Sequence, residues 1–109
     1  MKPPAPLLVD VMAVNQWLMA QLGAHTHPLA LRICQVALAL LEAVSLALHG
    51  RDRDRQVDVA DERFIVLRTL LRLAEETAVL TEAQFLHLLP RMESIGRQLG
   101  GWRRALGPV

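Results

Sequence analysis

The arginines carry the most readable chemistry of this chain: eleven of its twelve basic side chains are Arg, and Lys2 is the single lysine. A planar guanidinium fork suits phosphate and carboxylate alike, so the bias fits a polar interface. Arg68 and Arg72 stand four residues apart, about 40° around a helix axis from one another, and point away from Leu67, Leu70 and Ala74. Glu75 and Glu76 are within reach of Arg72. Two readings follow: a solvated, salt-bridged face worth roughly a few tenths of a kcal/mol, or a surface that meets a partner. Arg97 and Arg104 share a second outward stripe, with Glu93 four residues before Arg97. Arg103 and Arg104 extend positive charge past Trp102, at an end able to clamp phosphates.

Other chemistry is sparse. His25 and His27 form an HxH pair, but two imidazoles without a carboxylate or thiol companion do not make a metal site, and none is expected. His49 and His87 are single and read as structural. There is no Gly-rich phosphate loop, Ser/His/Asp set, CxxC or HExxH pattern, so neither an enzyme nor a cofactor is expected. Cys34, the one cysteine, lies in an apolar run, reads as a small core hydrophobe and leaves no internal disulfide to form, which suits a cytoplasmic protein. The formal charge of +1 excludes a strongly cationic nucleic-acid binder, so any such contact must be local.

The elements that position these groups are helices. With 52% hydrophobic and 21% charged residues over 109 positions, the chain is a single folding domain rather than a disordered one. Apolar residues recur at three- and four-residue spacing and strand-like alternation is absent, which predicts an all-α fold. Helix boundaries are expected at about 7–22, 29–49, 58–78 and 82–100. The first carries Leu7, Val11, Val14 and Leu18 with Trp17 beside them, and stops at Gly23. The second opens on Pro28 and stops at Gly50. RDRDRQVD reads as a charged connection, with Asp58 capping the third helix. Thr81 with Gln84 matches a capping box for the fourth. There, Phe85, Leu88, Met92, Ile95, Leu99 and Trp102 make a bundle seam. Gly96 and Gly100 permit close approach of another helix, Gly100 and Gly101 suit a helix end, and Pro90 should kink the helix. Short connections give an antiparallel up-down-up-down four-helix bundle.

The second helix is too apolar for one bundle. Residues 29–48 hold sixteen apolar residues in twenty, yet Arg32, Gln35 and Glu42 argue against a membrane span, and an early Asp10 argues against a secretory signal. Its polar stripe is interleaved with Leu31, Leu38, Ala39 and Leu46, which predicts a homo-oligomer; a helix central in a lopsided bundle is the plainer alternative. Arg63, placed among Leu67, Leu70 and Ala74, needs a partner. Glu42 is the acid available, within a protomer or across an interface, unless Arg63 snorkels to an edge.

Residues 67–106 contain L-R-x-x-x-R-L-A (Leu67, Arg68, Arg72, Leu73, Ala74) and I-G-R-x-L-G-G-W (Ile95, Gly96, Arg97, Leu99, Gly100, Gly101, Trp102). With looser matches at Trp17, Arg32, Ile33, Glu42 and Ala43, the chain resembles, over residues 14 to 106, the accessory variability determinant (Avd) family of diversity-generating retroelements. The resemblance implies a four-helix bundle assembled as a homopentameric barrel. It also implies binding to the retroelement's reverse transcriptase and template RNA in support of mutagenic cDNA synthesis. Arg68, Arg72 and Arg97 become the first candidates for partner contact, with Arg103 and Arg104 beside them. The nearest alternative is the four-helix scaffold type encoded in intervening sequences of bacterial ribosomal RNA genes, without direct nucleic-acid binding; the terminal GGW pattern argues against it.

Overall fold

In the computed structural model, which describes residues 5–106, the chain forms four helices: α1 (Ala5–Leu22), α2 (Pro28–Leu48), α3 (Arg53–Glu76) and α4 (Glu82–Ala105). Each has a local reason to begin or end where it does. The Gly23 amide closes α1 on the Met19 carbonyl at 2.9 Å. His27 caps α2, its Nδ1 accepting from the Leu29 amide at 3.1 Å, and Pro28 fills a first-turn position where a backbone amide would have no acceptor within the helix. Past α2, Gly50 takes a left-handed φ of +72°, which glycine adopts without the Cβ penalty. At α4 the Thr81 hydroxyl accepts from the Gln84 amide while the Gln84 side chain accepts from the Thr81 amide, so the expected capping box is formed.

Helix α3 corrects the sequence reading. It begins at Arg53, five residues before the expected start, so most of RDRDRQVD is helical and Asp58 lies inside the helix rather than capping it. The N-cap is Asp52, at φ +48° and without a side-chain cap bond. The physical reason is packing: Val57 and Ala60 are fully buried and extend the stripe of Phe64, Leu67, Leu71 and Ala74 at three- and four-residue spacing back into the charged stretch. Leu71, not Leu70, therefore belongs to the core face. At its other end α4 also outruns expectation, continuing through Pro90, Gly100 and Gly101 to Ala105.

The helices pack in a ring, α1 on α2, α2 on α3, α3 on α4 and α4 on α1, while the diagonal pairs stay apart. Their inward stripes merge in one core, in which Leu18, Ile33, Leu67, Ile95 and Leu99 are fully enclosed. One polar side chain enters it: Asn15, 3% exposed, donates to the Val11 carbonyl of its own helix at 3.0 Å and to the Ala37 carbonyl of α2 at 2.9 Å. Helix α2 is long and apolar enough to cross a membrane by length and composition alone, and it packs one face into this core. Its opposite side keeps Leu31, Leu38 and Leu46 at 59%, 40% and 43% exposure, the apolar excess foreseen from the sequence.

The expected Arg63–Glu42 pair does not form within the protomer. Arg63 is half-buried beside the true core face, Glu42 is exposed, and neither takes part in an ion pair among the described residues. Shifting the core face from Leu70 to Leu71 turns the half-buried Arg63 toward the helix edge, the position at which a long Arg side chain needs no buried partner. Glu42→Gln is consequently expected to leave the melting temperature of the isolated protomer unchanged, within about 0.5 kcal/mol of stability as for other surface substitutions. A larger loss in thermal unfolding followed by circular dichroism would place Glu42 in a contact made between copies.

Candidate partner and nucleic-acid interface

Helices α3 and α4 approach closely because of Gly96. A Cβ at that position would lie 3.1 Å from the Phe64 ring, so the absent side chain lets the aromatic pack directly on the α4 backbone. The Arg68 guanidinium lies over the same ring, 5.5 Å from its centroid, a cation–π arrangement. Phe64 thus links the two sequence signatures in space: Arg68 from the first lies over the ring and Gly96 from the second lies against it.

Above this junction runs a groove of about 600 Å3 between the two helices. Its α3 wall includes Ile65, Arg68 and Leu71, and its α4 wall Phe85, Leu89 and Met92, with Arg97 from α4 at the same groove. Arg68 and Arg97 are both exposed and neither is engaged in an ion pair among the described residues. Asp61 and Glu93 also line the groove, so its charge is mixed rather than uniformly positive.

The remaining candidate arginines lie elsewhere. Arg72, one turn beyond Arg68, is outside the groove and sits 3.6 Å from Glu76; both side chains are well exposed, so the pair contributes little and leaves Arg72 available. Arg103 is committed within the fold, at 3.3 Å from Asp58 and 3.0 Å from Asp61, tying the end of α4 to the start of α3. Asp58, expected as the cap of α3, is thus a partner of Arg103, as is Asp61. Arg104 is exposed, with its guanidinium near Gly100 and no ion pair. The structure therefore brings Arg68 and Arg97 together and separates them from the terminal pair.

Two constellations had no local signal in the sequence. Asp10 of α1 receives Arg91 at 3.1 Å, the Ser94 hydroxyl at 2.8 Å and the Gln98 amide at 2.8 Å, all from α4. Farther along the same helix pair, Gln84 donates to Gln21 at 3.0 Å, and Trp17 stacks on His87 with ring centroids 5.3 Å apart. His87 is thus occupied by an aromatic neighbour and His49 by the Ser45 carbonyl at 2.8 Å. His25 and His27 are exposed, and no group of three metal-ligating side chains occurs among the described residues. The half-buried Cys34 thiol lies 4.0 Å from the Leu18 carbonyl, and burial pushes its pKa up, which favours the inert thiol.

Comparison with known proteins gives one result. A family model described as bAvd-like matches residues 18–106. No curated protein and no solved structure matches the chain.

Proposed function

Because the chain belongs to the bAvd-like family, we propose that it is a non-catalytic accessory subunit of a diversity-generating retroelement, binding the reverse transcriptase and its template RNA or cDNA. It needs no cofactor or metal and works in the cytoplasm. What carries this function is the convergence of two arginines from separate helices, Arg68 and Arg97, on one groove in which neither forms an ion pair among the described residues. Arg72 and Arg104 add exposed positive charge outside it, with Arg103 beside Arg104 but tied to α3.

The helices run alternately up and down. Connections of four or five residues leave no room for a crossover, and Asp10 near the start of α1 meets Arg91, Ser94 and Gln98 in the middle and later part of α4 while Gln21 meets Gln84 near its beginning. The subunit assembles as a homo-oligomer, a pentamer by family, through the exposed leucines of α2. Assembly matters for function because a protomer of +1 holds a polyanion weakly, whereas repeated patches around a ring raise the effective concentration of each contact.

The test is co-expression of the tagged protein with the reverse transcriptase of its own retroelement. Wild type should capture the enzyme, and the Arg68→Glu, Arg72→Glu double variant should lose at least nine-tenths of that capture. Equal capture by both would remove these arginines from the interface, and no capture by wild type would end the accessory-subunit proposal. RNA contact is read separately: a gel shift should weaken steeply as salt rises. A protein-only scaffold, the second reading, is favoured by the internal pairing of Arg72, Arg91 and Arg103, and predicts capture of the enzyme without any RNA shift.

A further inference from the structure

The groove between α3 and α4 has two properties that phosphate recognition does not require together. Its floor is apolar, built on Phe64, Leu71, Leu88 and Met92, whereas its edges carry Arg68 and Arg97 alongside Glu93. A nucleic-acid strand would gain little from that floor. Phe64 is only 4% exposed and lies beneath the Arg68 guanidinium, so it offers no free face for a base to stack on, and the unpaired Glu93 carboxylate repels a phosphate backbone. A protein segment meets both demands at once: large apolar side chains fill the floor while carboxylates one turn away pair with the two guanidinium forks.

The dimensions favour a helix as that segment. On α3 the lining runs from Asp61 to Leu71 and on α4 from Phe85 to Arg97, which at 1.5 Å per residue is about 15 to 18 Å, the length of a three-turn helix. Its direction is set by two roughly parallel walls, as in other helix-in-groove complexes. We propose that this groove is the docking site for a short amphipathic helix of the partner protein, with Leu, Ile, Phe or Met at i, i+4 and i+7 and Asp or Glu flanking them. Nucleic acid is met elsewhere, at Arg72 and Arg104. The assignment rests on the accessory-subunit function proposed above, the helix being a surface segment of the reverse transcriptase.

Charge-neutral variants separate these chemistries. Ile65, 46% exposed, lines the groove, so Ile65→Ser removes apolar contact without changing charge or emptying the core. The purified protein, wild type or variant, is titrated against the labelled reverse transcriptase and, separately, against a 20-nucleotide uridine-rich RNA, with folding checked by circular dichroism. Ile65→Ser is expected to weaken enzyme binding about tenfold and to leave RNA binding within about twofold, the tenfold corresponding to about 1.4 kcal/mol. Arg97→Glu should weaken enzyme binding at least as much, and Arg97→Lys should restore only part of it. Should Ile65→Ser melt early, the half-buried Leu89→Ser supplies a second neutral probe of the same wall. Enzyme binding that is normal in the folded groove variants would overturn the docking site and leave the accessory function intact. An equal loss of RNA and enzyme binding would make the groove a nucleic-acid site and overturn it as well. Absence of enzyme binding by wild type would remove both proposals together.

Discussion

Asn15→Asp is expected to remove a large part of the protein's stability at neutral pH. The Asn15 amide is enclosed between α1 and α2 and donates to two carbonyl oxygens, Val11 at 3.0 Å and Ala37 at 2.9 Å. A carboxylate has no proton to offer either, and it would bring negative charge against both lone pairs in a site that water does not reach. Leaving a charge uncompensated in such a place costs about 3–5 kcal/mol, against the roughly 5–15 kcal/mol that holds a domain folded. The sign of the pH dependence follows. Burial raises the folded pKa of the new carboxyl above its unfolded value of about 3.9, so the folded state holds the extra proton. Stability then falls as pH rises from about 4, by up to about 1.4 kcal/mol per unit until the folded pKa is passed. Thermal unfolding of the variant at pH 4 and pH 7 should show a much higher melting temperature at pH 4, after correction for wild type. Identical melting at the two values would mean that the carboxyl escapes to solvent and that Asn15 is not the polar link between these helices.

The second large effect concerns association. Changing Leu31, Leu38 and Leu46 together to Gln should convert the proposed oligomer to a 12.1 kDa protomer in light scattering, with little loss of protomer stability. Each side chain is already about half exposed, so the protomer core gives up little by the change. Between copies the balance differs. Burying the remaining apolar surface of three leucines is worth about 3 kcal/mol per subunit, more than a hundredfold in an association constant. A wild-type protein that scatters as a single protomer would leave those leucines without a role in assembly and remove the pentamer from the proposed function.

Much of the fold is local and was therefore legible. The α4 stripe from Leu88 to Trp102 and the Thr81–Gln84 box are set by residues within a few positions of one another, and both appear as expected. The start of α3 was misjudged because alternating Arg and Asp resemble a solvated loop. Val57 and Ala60 already continued the core spacing, and that weaker signal decided the outcome. The Arg63 pairing fails for a related reason: a stripe drawn through Leu70 instead of Leu71 displaces one member by about 100° and swings the inferred core face toward Arg63.

The candidate site was legible only in part. Outward placement of Arg68 and Arg97 followed from helical phase, and Gly96 announced a close approach without naming its partner. That partner is Phe64, on another helix, and the groove exists only once the two are packed. The Asp10 network joins residues more than eighty positions apart and has no local signature at all.

Pro90 gives the groove a jointed wall. Lacking an amide hydrogen, it cannot donate to the Leu86 carbonyl, so the backbone ladder of α4 loses a rung between Phe85 and Leu89 on one side and Met92 and Arg97 on the other. Each half is anchored separately to α1, the first through Gln84 and Gln21, the second through Ser94, Gln98 and Asp10. The missing rung falls between these anchors, so the two halves of the groove's α4 wall are held against α1 independently of the backbone bond that Pro90 removes.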